Sequence, residues 1–219
     1  MTSSKVTESR FVPVRAADDL ISVAVATPAE GQALAEHLRN SHDWLEVVPG
    51  IDSVVVRFDA ATLDGEEAAR RLAEALVEGI SPPESVAPLL EIPVVYGGEH
   101  GPDLDALCER FGLSRDEFIA LHTDREYTVD MVGFTPGFAF IGGLDERLRA
   151  PRRDSPRQRV AAGSVAVADG RTGIYAIASP GGWNVIGRTT LSLFDPDADT
   201  PFLLAAGQRV RFTAVEDDG

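Results

Sequence analysis

Alternation comes first in the chain. In "DLISVAVA" (residues 19–26), Ile21, Val23 and Val25 recur at every second position, which predicts a half-buried strand. "TPAEGQALAEHLRN" follows and changes the period. Thr27 is an N-cap, Pro28 fits the first helical position, and Glu30 completes a capping box. Leu34, Ala35 and Leu38 then share one helical face. "WLEVV" and "SVVVRF" flank "PGID" and predict two strands joined by a turn. "DGEEAARRLAEALVEG" predicts a second helix, capped by Asp64 and ended by Gly79, with Ala68, Leu72, Ala75 and Leu76 inward. This β-α-β-β-α order, with a further strand available at "IPVVY", is the split βαβ, ferredoxin-like pattern of a small α+β domain.

"SPPESVAP" (81–88) is proline-rich and reads as a linker. Two short helices are predicted beyond it. "GPDLDALCERFG" turns Leu104, Leu107 and Phe111 inward, and "SRDEFIALH" opens on a capping box from Ser114 to Glu117. Cys108 lies four residues after Leu104 on the same face and reads as a buried structural thiol. From Tyr127 the pattern changes again. "YTVDMVGF", "SVAVAD", "GIYAIA", "WNVIG", "TLSLF" and "RVRFTAV" are short strand-like runs separated by Gly and Pro, which predicts a β-sandwich or barrel.

Composition narrows the chemistry. With 44% hydrophobic and 25% charged residues the 219-residue chain is of ordinary globular type. No apolar run is long enough to span a membrane, and "MTSSKVTESR" lacks the apolar core of a secretory signal. One cysteine allows no internal disulfide, so the cytoplasm is the simplest compartment. A net charge of −15 argues against non-specific nucleic-acid binding. The only lysine is Lys5, which removes a Walker A loop, a Schiff-base lysine, a biotin-attachment lysine and the amidase-type Ser-Ser-Lys arrangement. The four histidines show no metal-ligand spacing, and no metal site is expected. A chain so equipped reads as catalytically incomplete alone.

The stretch from "EYTVDMVGFTPGFAFIGGL" through "APRRDSPRQRVAAGSVAVADGRTGIYAIASPGGWNVIGRTTLSLFDP" resembles the family of the 5-oxoprolinase B subunit, or allophanate hydrolase subunit 1, which also contains the Kip-type sporulation-kinase inhibitor. "IPVVYGGEHGPDL", "LHTDREYT" and "PFLLAAGQRVRF" extend the resemblance over residues 92–212, while the first ninety residues match in pattern only. Two departures are visible: "AADDLISV" has alanine where the family has glycine, and Asp130 stands where an aromatic is common. The resemblance implies an α+β fold, with an α+β domain over residues 1–88 (disordered start and linker included) and a cyclophilin-like β-barrel over 89–219. It implies a partner, the family's second, carboxyltransferase-like subunit (allophanate hydrolase subunit 2, or the 5-oxoprolinase C-subunit type). It implies a small amide substrate, 5-oxoproline or allophanate, with ATP used at the level of the complex. The Kip-type alternative is a regulatory module that binds a histidine kinase.

Candidate residues follow, each with a structural alternative. "GFTPGFAF" can present Thr135 and the N–H groups of Gly137 and Phe138 to an oxyanion, or can be a barrel corner with its phenylalanines in the core. "RLRAPRRDSPRQR" (147–159) holds six arginines and one acid, Asp154. Within it Arg152, Arg153 and Arg157 can grip a carboxylate or phosphate, or dock on acids. In "SPGGWNVIGR", Gly181 and Gly182 make a corner, Trp183 is a core residue or a ligand platform, and Arg188 points into a polar cleft. His122 is either a general base, with Glu126 to orient it, or a helix C-terminal histidine meeting the dipole. His122 and Arg188 are the catalytic candidates.

Overall fold

The structure, a computed structural model, describes residues 11–76 and 88–217. The chain falls into two compact units, Met1–Val86 and Ala87–Gly219.

The first unit runs β1 (Pro13–Arg15), β2 (Leu20–Ala24), α1 (Pro28–Asn40), β3 (Glu46–Pro49), β4 (Ser53–Arg57), α2 (Gly65–Ala75). The sheet order is β1-β2-β4-β3, antiparallel throughout. Ile21 and Val23 of β2 and Val54 and Val56 of β4 are fully buried while their neighbours are not. Leu34 and Leu38 of α1 and Ala68 and Leu72 of α2 cover that face. This is the ferredoxin-like arrangement, with one correction. The fourth strand is the N-terminal β1, which the sequence pattern did not show because it has three residues and little burial. "IPVVY" belongs to the other unit. Thr27 Oγ1 caps α1 by accepting from Glu30 N–H at 3.2 Å, and the Glu30 carboxylate accepts from Ala26 N–H, one residue earlier than the box predicts. Asp64 caps α2 through the N–H groups of Glu66 and Glu67. Gly79 and nearly all of the 81–88 linker lie outside the described residues.

The second unit is built from β5 (Leu90–Tyr96), α3 (Leu104–Phe111), α4 (Arg115–Thr123), β6 (Tyr127–Val132), β7 (Ala139–Gly142), β8 (Arg157–Val160), β9 (Ser164–Ala168), β10 (Arg171–Ile174), β11 (Ser179–Gly181), β12 (Asn184–Arg188) and β13 (Arg209–Ala214). Seven strands close a barrel in the order β10-β7-β6-β13-β5-β12-β9. Closure leaves no free edge. Among the described strands only β5 and β13 run parallel. Strands β8 and β11 form a separate two-stranded ribbon. Of the predicted runs, "TLSLF" is not a strand. Thr189 Oγ1 accepts from Leu191 N–H and Ser192 Oγ donates to the Phe194 carbonyl, so local side-chain bonds turn the chain, leaving one bridge between Phe194 and Phe202.

Strand β9 is buried on both faces, and this places the site. Val165 and Val167 point into the barrel with Ile92, Val94, Ile186 and Phe212. Ala166 and Ala168 face the opposite way, beneath Phe138, Tyr175 and Trp183. The barrel thus carries a second, aromatic core on its outer wall. Helices α3 and α4 send Leu104, Leu107 and Phe118 into the first core, and Cys108 is buried beside them with its thiol pushed above the usual range, chiefly by desolvation.

Candidate functional site

The aromatic wall begins with a turn. Phe138 N–H donates to the Thr135 carbonyl at 3.1 Å, Pro136 sits between, and Gly137 has φ +75°. Pro then a left-handed Gly is the type II pattern. A Cβ at Gly137 would lie 2.8 Å from that of Ala176, so no larger residue fits. The turn drives Phe138 inward, where it is 1% exposed and meets Phe140, Tyr175 and Trp183 edge-on at 4.7–5.6 Å between ring centres. One expectation changes here. Phe138 N–H closes the turn and is not free for an oxyanion, while Thr135 Oγ1 is buried without a protein partner.

Phe134, Phe138, Phe140, Tyr175, Gly181, Gly182, Trp183 and Arg152 line a cavity of about 160 Å³. Four of the sequence candidates, Phe138, Arg152, Gly182 and Trp183, therefore meet at one place. Trp183 is a core residue, 5% exposed, and part of its surface lines the cavity. Gly181 is required because a Cβ there would collide with Tyr175 Oη at 2.1 Å. Gly182 holds the arginine loop, its carbonyl accepting from Arg153 N–H at 2.8 Å. Arg152 bonds Asp169 through Nε alone, at 2.9 Å.

Arg153 and Arg157 take the second of their two readings and dock on an acid of this chain. Both donate to Asp103, at 2.6 Å from Arg153 and at 2.8 and 2.9 Å from Arg157, and Asp103 also accepts from Val185 N–H at 2.7 Å. Asp103 is 6% exposed. The two guanidiniums thus form a clamp on Asp103 that pins the 151–157 loop, and Arg153 also lines a recess with Arg110, Pro151 and Asn184. Asp103 escaped the sequence reading because it stands where a helix N-cap is expected. Its side chain makes no cap bond and reaches across the barrel wall instead.

His122 is fully buried. Its Nδ1 lies 2.7 Å from Tyr96 Oη and its Nε2 3.0 Å from Thr172 Oγ1, and the Thr172 hydroxyl donates to the Ala166 carbonyl. The directions then follow: Nε2–H donates to Thr172, and Tyr96 O–H donates to Nδ1. Desolvation, with a smaller effect from Arg125, brings its pKa down to about 3, and burial raises that of Tyr96 well above the ordinary value. A sealed, neutral imidazole with both nitrogens occupied is a core element, so the general-base expectation is corrected. Glu126 does not orient it but pairs with Arg209 and Arg211.

Arg188 does reach a polar cleft, of about 420 Å³, lined also by His100, Gly163, Thr190, Ser192 and Asp217. That cleft and the aromatic cavity have no residue in common. Thr135 and Gly137 line a third recess with Phe134, Pro201 and Phe202. Phe134, 68% exposed with φ +72°, belongs to this recess and to the aromatic cavity. The sequence reading singled out neither Phe134 nor Phe202 as a site residue, since solvent exposure leaves no periodic trace. Among the described residues no group of three or more His, Cys, Asp or Glu is placed to hold a metal ion, and no helix is long and apolar enough to cross a membrane.

The model of the carboxyltransferase domain, subdomains C and D, matches residues 8–204. A protein named as the B subunit of 5-oxoprolinase, from Escherichia coli O157:H7, is 42% identical over 193 residues, covering 87% of each chain. Among solved structures, TTHA0988 superposes with a TM-score of 0.75 at 37% identity over 90% of this chain, which spans only 40% of the TTHA0988 chain. The Kluyveromyces lactis urea carboxylase shares the fold alone, with a TM-score of 0.73 at 19% identity over 94% of this chain and 22% of that one. With its barrel, its outer aromatic wall and a match over most of its length, the chain belongs to the family of the carboxyltransferase domain, subdomains C and D.

Proposed function

We propose that this chain is the B subunit of a 5-oxoprolinase, a complex that opens the 5-oxoproline lactam to glutamate with ATP as co-substrate, and that it contributes half of the lactam site. The observation that carries the reading is the 40–42% identity, over most of the chain, to proteins named as B subunits of 5-oxoprolinase.

The cavity chemistry agrees with it. A small, flat amide ring bearing a carboxylate can lie against the rings of Phe138, Phe140 and Trp183 while the Nη groups of Arg152 pair with its carboxylate. The cavity wall holds no nucleophile, no general base and no carboxylate, its side chains with polar atoms being Arg152, Tyr175 and Trp183. Burial raises the Tyr175 phenol above its usual range, so it stays protonated and can donate but not act as a base. Groups that activate water and the ring carbonyl must come from elsewhere in the complex.

The second subunit is proposed to sit on the apolar ridge beside the cavity. Phe134, Phe202 and Leu203 are 68%, 47% and 42% exposed, and Phe134 belongs to cavity and ridge alike. A partner seated there closes the cavity. That TTHA0988 carries a matching region inside a chain more than twice as long supports a partner of this kind.

The test is reconstitution with the genomically neighbouring subunits and measurement of glutamate and ADP from 5-oxoproline. Product formation that stops when this chain is left out is expected. Undiminished glutamate from the mixture lacking it would overturn the reading.

A further inference from the structure

We propose that the Arg188 cleft is a second, separate ligand site, one that binds the phosphoryl or carboxylate group of a small anionic molecule.

Arg188 ends β12 and is held on both sides, opposite Val95 of β5 and Ser164 of β9. Its Nε–H donates to the Ala162 carbonyl at 3.1 Å. This one bond orients the guanidinium plane and leaves the Nη edge open. Arg152, Arg153, Arg157, Arg171, Arg209 and Arg211 each have a carboxylate partner. Arg188 has none among the described residues, in a chain with 35 acids and 20 basic residues. A positioned guanidinium with its bidentate edge unused is suited to an oxyanion.

The walls supply further donors. The backbone N–H groups of Ala162, Thr190 and Ser192 bond to no described residue, and the Thr190 hydroxyl stands on the same wall, whereas the Ser192 hydroxyl already donates to the Phe194 carbonyl. The two loops carrying them are locked together. Thr189 N–H donates to the Gly163 carbonyl at 2.9 Å, and Gly163 has φ +81° where a Cβ would lie 2.4 Å from the Thr189 oxygen. Loops fixed in this way present their donors before a ligand arrives, which lowers the ordering cost of binding. His100 closes the rim, its Nε2 3.1 Å from Asp217. The volume of about 420 Å³ exceeds what a bare oxyanion fills, so the ligand carries its anionic group on a larger body.

The inference does not depend on the lactam reading, and binding alone tests it. The full chain is titrated calorimetrically at low salt with inorganic phosphate, ADP and glutamate, alongside Arg188→Gln, Ser192→Asp and Arg159→Gln. At least one probe is expected to bind the unaltered chain. Arg188→Gln and Ser192→Asp each weaken that binding about tenfold or more, and Arg159→Gln, an exposed arginine outside both cavities, leaves it unchanged. Binding of phosphate and ADP without glutamate identifies a phosphoryl ligand, and binding of glutamate without phosphate a carboxylate. Ser192 is exposed, so its variant carries the test if Arg188→Gln does not fold. Absence of binding by every probe, or binding that survives both cleft variants, would overturn the proposal.

Discussion

Asp103 and Arg157, fifty-four positions apart, meet through two hydrogen bonds of 2.8 and 2.9 Å beneath the arginine-rich loop. With Arg153 also on Asp103, the clamp couples the start of α3 to the loop that positions Arg152. Removing the central charge leaves two half-buried guanidiniums uncompensated. Asp103→Asn is expected to cost about 3 kcal/mol in urea unfolding of the chain, and to lower the activity of the assembled complex. A loss under about 1 kcal/mol would place the clamp among ordinary surface pairs.

His122 gives a pH signature. Its folded pKa, about 3, lies below the ordinary value of 6.5. Protons therefore favour the unfolded chain, so its contribution is complete above pH 6.5 and is lost as pH falls from there towards 3. Between pH 6.5 and 5 the loss amounts to about 2 kcal/mol. Chemical denaturation across that window is expected to show the slope, and His122→Phe to flatten it whatever that variant does to absolute stability. An unchanged slope would mean that the imidazole takes up protons equally in the folded and the unfolded chain.

Gly173 makes room for the aromatic wall. A Cβ there would stand 2.9 Å from the Ala139 carbonyl and 3.0 and 3.1 Å from the rings of Trp183 and Phe138. Gly173→Ala is expected to cost about 1–3 kcal/mol and to change the near-ultraviolet dichroism of the aromatic cluster. Native dichroism with native stability would mean that the wall is looser than its geometry.

Phe134 combines exposure with a backbone conformation that bulky residues avoid. Such strain gathers at functional positions. Phe134→Asn is expected to leave the isolated chain as stable or more stable, by up to about 1 kcal/mol, while weakening capture of the second subunit. Capture at full strength would remove Phe134 from the proposed interface.

The fold was legible in most places where burial is one-sided. The alternation of Ile21 and Val23, the caps at Thr27, Asp64 and Ser114, and the short runs after Tyr127 other than "TLSLF" mark their elements. It was illegible in the three- and four-residue strands β1, β8 and β11, in β7, whose alternating Ala139 and Ile141 lie between glycines, and where side chains redirect the chain, as at Thr189. The candidate site was half legible. Phe138, Gly182, Trp183 and Arg152 were each singled out by local glycines or charge, and the fold brings them to one cavity. The partners that decide the fate of the other candidates are distant in sequence: Asp103 claims Arg153 and Arg157, and Tyr96 and Thr172 enclose His122. No local pattern announces such pairings.

Steady-state kinetics of 5-oxoproline opening by the reconstituted complex, with Arg152 intact or changed to Gln, bears most directly on the proposed lactam site. The exposed pair with Asp169 adds little to stability, so the variant should fold normally. A KM for 5-oxoproline raised about tenfold or more, with the ATP requirement unchanged, is the predicted result. An unaltered kcat/KM would contradict the placement of the lactam against this barrel's aromatic wall.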